Sequence, residues 1–225
     1  IVQCITTDLG SSMDKLKLMA VTHCHPDHSG AAGILRKKYG TAVAAPHEMD
    51  RWYSGIGGAL QHISDTLQSK FMARQLDSEH RLLWYSRRLR PDYSLYDGDS
   101  LPFFPDWTAI AAPGHTSHNM HFFNKNNGVM YIADTIIDSN GKYLPPVPVL
   151  FPGKMVETLL RIKEIRPDML LLAHGPSQFY RYNEKMIDDT IKKIETGSSA
   201  YIRMFYKISK FTGEYRRKRK IYKQP

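Results

Sequence analysis

Four short apolar runs in this chain each stop at a histidine or an aspartate. Lys17–Thr22 runs into THCHPDHSG (Thr22–Gly30), WTAIAAPG ends at His115, GVMYIA ends at Asp134 and MLLLA ends at His174. Runs of this length and content read as buried strands. Loops at the ends of such strands are where a rigid scaffold presents polar chemistry. The four strand ends together supply His23, His25, Asp27, His28, His115, Asp134 and His174, five imidazoles and two carboxylates. That is too many ligands for one tetrahedral metal site and suits two adjacent ones sharing a carboxylate.

Between these runs the pattern alternates. Ala31–Tyr39 predicts a helix stopped by Gly40, so the histidine cluster lies on a strand-to-helix loop. Thr41–Ala45 predicts a strand. From Gly58 to Leu89 the character changes: Leu60, Ile63, Leu67 and Phe71 recur at helical spacing, and Trp84, Tyr85 and Leu89 extend an apolar face among arginines. This is a helical insertion, about residues 47–92. Strands return with SLYDGDSL around an Asp-Gly turn, Trp107–Ala112 and Gly128–Ala133. The Pro-rich Tyr143–Pro152 is a loop. A helix over Lys154–Ile165 must stop before Pro167, a buried-type strand covers Met169–Ala173, and Asn183 caps a last long helix that Gly197 ends. Alternating strands and helices make this an α/β (α+β) domain over 1–213, followed by a basic tail, 214–225.

That tail holds six basic residues and one acid, five of the nine net positive charges at pH 7. A terminal run of this kind reads as a solvated tail, and the modest charge left on the body argues against a nucleic-acid partner. No apolar run reaches the roughly 20 residues of a membrane span, and the start does not resemble a signal peptide. Two cysteines, Cys4 and Cys24, cannot build a disulfide framework. A soluble, cytoplasmic protein in a reducing compartment is expected.

Inside the cluster, His23 and His25 are two apart and project to one side of an extended segment, whereas Asp27 and His28 lie beyond Pro26, where the chain must turn. One loop can thus face two metals. His118 and His121 read as neighbours of the ligands or as surface residues, and Cys24, on the opposite side of the extended segment, is not counted as a ligand. His47, His62 and His80 have no metal spacing.

HCHPDH resembles the HxHxDH signature of the metallo-β-lactamase superfamily, and APGHTSHNMHF, VMYIADT and IRPDMLLLAHG resemble its later motifs, in order, over about Leu18–Gly175. The resemblance implies an αββα sandwich with a dinuclear site at one edge of two packed sheets. It implies that His23, His25 and His115 hold one metal, that Asp27, His28 and His174 hold the other, and that Asp134 bridges them. The metals implied are two zinc ions, with iron or manganese as alternatives. Zinc ions roughly 3.5 to 4 Å apart share a hydroxide whose parent water has its pKa lowered to about 7. The expected activity is hydrolysis of an ester, thioester or lactone of a small carbonyl substrate, with Asp27 also handling the proton, as in the hydroxyacylglutathione hydrolase and lactonase branches. A mononuclear iron oxygenase of persulfide-dioxygenase type and a nucleic-acid-processing enzyme are the competing readings.

Set against the family pattern, Ile1–Leu9 reads as the helix leading into the motif strand, the opening strands of the first sheet and their Asp-Gly loop are expected to be missing, and the chain reads as a fragment or processed product. Gly55, Gly57 and Gly58 could hinge the insertion as a lid, bringing Arg74, Arg81, Arg87, Arg88 and Arg90 to an anionic substrate. The competing expectation is a packed helical pair with solvated arginines.

Overall fold

The computed structural model describes residues 1–75, 85–177, 179–196, 210 and 212–222, the side chains of 71–75 excepted. A first sheet of three parallel strands has the order β1 (Leu18–Ala20), β2 (Ala42–Pro46), β3 (Tyr93–Leu95). A second sheet of six strands runs β11 (Phe179–Arg181), β10 (Met169–Leu171), β7 (Val129–Tyr131), β6 (Met120–Asn124), β5 (Phe104–Ala111), β4 (Ser100–Leu101). A small hairpin pairs β8 (Ile137–Ser139) with β9 (Lys142–Leu144).

The sheets face each other across Ala44, Leu95, Leu101, Ala109, Met120 and Phe122. The outer face of the six-stranded sheet is covered by α4 (Pro152–Ile165) and α5 (Glu184–Glu195), where Leu159, Ile162 and Ile187 are fully buried against Met130 and Leu170. Asn183 caps α5 by accepting from the Lys185 amide. Outside the three-stranded sheet lie α1 (Pro26–Ser29), α2 (Ala32–Tyr39), α3 (Gly55–Gln75) and α6 (Gly213–Ile221). Their core holds Val43, Trp52, Tyr53, Tyr85, Phe151 and Tyr215. The layers are αββα, as the resemblance implied. Gly40 closes α2 at φ 69°, a left-handed position that favours glycine.

Three expectations change. The tail is not a free solvated run: it forms α6, whose Tyr215 stacks on Phe151 with ring centroids 5.2 Å apart, while Arg216, Arg219 and Lys220 stay exposed. Of its basic residues, Arg217 (2.6 Å) and Lys218 pair with Glu48, and Arg217 also with Glu214. Second, α3 is inverted relative to its apolar periodicity. Leu60, Ile63 and Leu67 are exposed, at 57%, 45% and 61%, while Gly58, Gln61, His62 and Asp65 face inward. Third, Gly55, Gly57 and Gly58 form the first turn of α3 rather than a loop, and a Cβ on Gly58 would sit 2.2 Å from the Tyr53 carbonyl carbon. Trp84, His80, Arg81 and Gly197 lie outside the described residues, as do the side chains of Phe71 and Arg74. Ile1–Leu9 holds a helical segment, Cys4–Asp8. Among the described residues no helix is long and apolar enough to cross a membrane.

Burial pushes the Glu48 carboxyl up, but Lys218 and Arg217 outweigh it and hold it at about 2, against 4.5 ordinarily. The stability this adds is therefore complete above pH 4.5 and lost as the pH falls toward 2. With solvent screening of the partly exposed partners allowed for, Glu48→Gln is expected to cost about 1–2 kcal/mol at neutral pH, read from urea midpoints. Variant and parent should converge in acid; equal midpoints at pH 7 would remove Glu48 as the anchor of α6.

Candidate metal centre

Strands β5, β7 and β10 run the same way, because β5 and β7 are each antiparallel to β6 and β10 is parallel to β7. Their C-terminal ends therefore share one edge, and the loops there carry His115, Asp134 and His174. The other sheet meets this edge through the Met120 amide, which donates to the Thr22 carbonyl at 3.1 Å. That contact brings in the loop after β1. His25 is the N-cap of α1 and Pro26 occupies its first turn, where the fixed φ suits a helix start and no amide is missed. This turn separates His23 and His25 from Asp27 and His28.

All seven predicted residues come together, in two sets that share Asp134. In the first, His25 Nδ1 lies 3.1 Å from His23 Nε2 and 2.9 Å from His115 Nε2. Asp134 Oδ2 lies 3.8 Å from His23 Nε2 and 3.4 Å from His115 Nε2. In the second, Asp134 Oδ1 is 3.1 Å from His28 Nε2 and 3.3 Å from His174 Nε2, and Asp27 Oδ2 is 3.5 and 3.3 Å from the same two nitrogens. Four ligands at zinc–nitrogen distances stand about 3.3 Å apart on a tetrahedron. The donor sets match that spacing. His28 Nε2 and Asp134 Oδ1 are buried and, 3.1 Å apart, do not meet in good hydrogen-bond geometry, an arrangement that a cation between them satisfies.

The electrostatics suit a cation too. Burial, reinforced by neighbouring imidazoles, lowers His23 strongly and His115 to about 4, and burial lowers His25, so all three are neutral with lone pairs available. Burial raises the Asp134 carboxyl, but His174 and His28 overcome it and keep it ionised. At the open end, Asp134 and Asp27 raise His174 to about 10.

Further contacts fix the rings. His115 Nδ1 is 2.6 Å from the Pro148 carbonyl, and Thr22 Oγ1 is 3.1 Å from His23 Nδ1 and 3.4 Å from His28 Nδ1. His118 and His121 are both buried, so the surface alternative for them falls. His118 Nε2 accepts from the Cys24 amide at 3.3 Å, and His121 Nε2 lies 2.6 Å from Thr135 Oγ1, beside Asp134. Cys24 is buried in the apolar core and belongs to neither donor set. One contact escaped the sequence: Asp65 of α3 lies 3.8 Å from His25 Nε2. Burial pushes its carboxyl up to about 6. Nothing in the sequence flags it, since the apolar spacing of α3 points to the opposite face.

A cavity of about 210 Å³ opens on the second set, lined by Ala20, Thr22, Asp27, His28, Tyr131, Ala173 and His174. A larger one, about 980 Å³, lies between α2 and Tyr85–Arg90 and includes none of the seven residues, so the cavity at the ligand cluster is the smaller one. Arg87, Arg88 and Arg90 line that larger cavity, not the ligand cluster.

A sequence model of the Metallo-beta-lactamase superfamily matches residues 8–174. The chain belongs to that superfamily. A curated relative, the Probable metallo-hydrolase YflN of Bacillus subtilis (strain 168), is 24% identical over 183 residues, 72% of this chain and 65% of its own length. The chain thus spans just under two thirds of that relative. Among solved structures, the metallo-beta-lactamase family protein TTHA1429 of Thermus thermophilus is similar, with TM-score 0.60 and 16% identity over 82% of this chain and 62% of that one. TTHA1623, solved in a di-iron-bound form, gives TM-score 0.53 and 18% identity over 79% and 77%.

The His115 loop of this metallo-β-lactamase fold rests directly on α4. A Cβ at Gly114 would lie 2.7 Å from Met155 Cα, a backbone atom that cannot swing aside. Gly114→Ala is expected to destabilise the chain by about 1–3 kcal/mol in urea unfolding. An unchanged midpoint would show that the loop has slack.

Proposed function

We propose that the chain is a dinuclear zinc hydrolase that cleaves an ester, thioester or lactone bond of a small carbonyl substrate. The observation that carries this reading is the division of the Asp134 carboxylate, Oδ2 toward His23 and His115 and Oδ1 toward His28 and His174. Two divalent ions held by such sets supply an activated water at neutral pH and Lewis-acid polarisation of a carbonyl oxygen. The protein's part is to hold and to orient. His23, His25, His115 and Asp134 form the buried set, while Asp27 and His174 stand at the mouth with side chains 46% and 44% exposed. Asp27 is placed to take a proton there. The cavity of about 210 Å³ suits a small acyl group, with Tyr131 on its wall.

TTHA1623 holds two irons, so the identity of the metal is part of the test. Metal analysis of the purified chain is expected to give two zinc ions; one iron and no zinc would overturn the hydrolase reading. Asp134→Asn should lose both ions and His174→Ala only one. Loss of a single ion from Asp134→Asn would argue against a bridge.

The zinc-loaded protein is to be screened against thioesters, lactones and β-lactams beside Asp27→Ala. The variant is expected to lose about 10²–10⁴-fold in kcat/KM on whichever substrate is turned over. Indistinguishable parent and variant on every substrate would remove Asp27 from the chemistry.

A further inference from the structure

Helix α3 turns its polar face into the protein. Ile56, Leu60, Ile63 and Leu67 are left in solvent, and Gln61, His62 and Asp65 are buried. Apolar burial alone would rotate the helix the other way, so something inside must hold the polar face in. The inward residue with most at stake is Asp65, since an ionised carboxylate loses its hydration there unless partners replace it. Two donors clamp it: Tyr53 Oη donates to Oδ2 at 2.8 Å and Gln61 Nε2 donates to Oδ1 at 2.6 Å. Tyr85 in turn donates to Tyr53 Oη at 3.0 Å, so the clamp is tied to both ends of the inserted segment.

The Oδ2 oxygen held in this way faces His25 Nε2 at 3.8 Å. Among the described residues, Asp65 is the one carboxylate within ion-pair reach of that nitrogen. His25 turns its other nitrogen, Nδ1, to His23 and His115. An imidazole that ligates through Nδ1 as a neutral ring carries its proton on Nε2. That N–H needs an acceptor; the 3.8 Å separation is ion-pair rather than hydrogen-bond distance, and a shift of about 1 Å would bring Asp65 onto Nε2–H, where a buried carboxylate fixes both tautomer and ring orientation.

We propose that Asp65 is a positioning residue that holds His25 in the Nδ1-ligating tautomer, making the helical insertion a structural part of the metal centre. The inference rests on the reading of His25 as a ligand. It assigns a role to an element otherwise read as a lid or as packing.

The test uses the whole chain, comparing parent, Asp65→Ala, Asp65→Asn and His25→Ala. Zinc affinity is measured by chelator competition, and the histidine ring nitrogens of the zinc-loaded protein are followed by ¹⁵N NMR. Urea unfolding of the metal-free proteins reports structure separately. Asp65→Ala is expected to bind one of the zinc ions about 10–100-fold more weakly and to lose the protonated Nε2 signature of His25. The isosteric Asp65→Asn, which preserves shape should the alanine variant unfold, is expected to show the same spectral change with a smaller loss of affinity.

If both Asp65 variants keep parental zinc affinity and the parental Nε2 signal while His25→Ala loses zinc, the positioning role is wrong and the ligand reading stands. If the parent itself binds no zinc, or if His25→Ala binds it normally, the ligand reading fails and takes this inference with it.

Discussion

The carboxylate of Asp134 is the contact on which this site depends. One oxygen faces two buried imidazoles and the other faces two more, so a single side chain joins two donor sets. Such a carboxylate, buried to 7% exposure, has lost most of its hydration and needs positive charge on both sides. Without a metal, protonation of His174, which Asp134 and Asp27 raise to about 10, and of His28, where burial opposes the charge and Asp134 outweighs it, can meet the need on one side. The three imidazoles of the other set are kept neutral by burial and cannot. The side of Asp134 that faces neutral nitrogens is the one where a cation adds most.

The fold delivers that carboxylate by parallel strand direction. With β5, β7 and β10 aligned, three loops rise from one edge, and the hydrogen bond from Met120 to Thr22 locks the histidine loop of the other sheet against them. The turn that aims Asp134 is itself constrained. Ala133, fully buried, has φ 46°, a left-handed conformation that costs a non-glycine residue about 1 kcal/mol or more. On the other side Thr135 is tied to His121. A strained residue and an anchored one flank the shared carboxylate, as expected where a side chain must be aimed against local preference.

Much of this was readable beforehand because it depends on short-range rules. Apolar runs ending in His or Asp marked the strand ends, Gly40 and Asn183 marked helix limits, and Pro26 marked the turn between the two halves of the histidine loop. What failed depended on partners remote in sequence. α6 looked like a solvated run because its charges are plentiful; the acid that holds it, Glu48, lies 169 residues before Arg217. The apolar spacing of α3 points to one face, yet the face it buries carries Asp65, whose partners Tyr53 and His25 precede the helix. Periodicity ranks faces by transfer from water, and a face with satisfied buried hydrogen bonds defeats that ranking.

The two donor sets also differ in access to solvent. His23 and His115 are buried to 0% and 1% exposure, and His25 has Asp65 at its back. Asp27 and His174 reach solvent, and the adjoining cavity is walled by Tyr131, Ala173 and Ala20. The open approach to the cluster therefore lies over the second set. The buried set, enclosed by the protein, is suited to hold a metal throughout. The second set stands at the cavity mouth and its ligands are not packed in the same way; under the proposed hydrolase reading, the loops around Asp27 and His174 are the ones a substrate would meet.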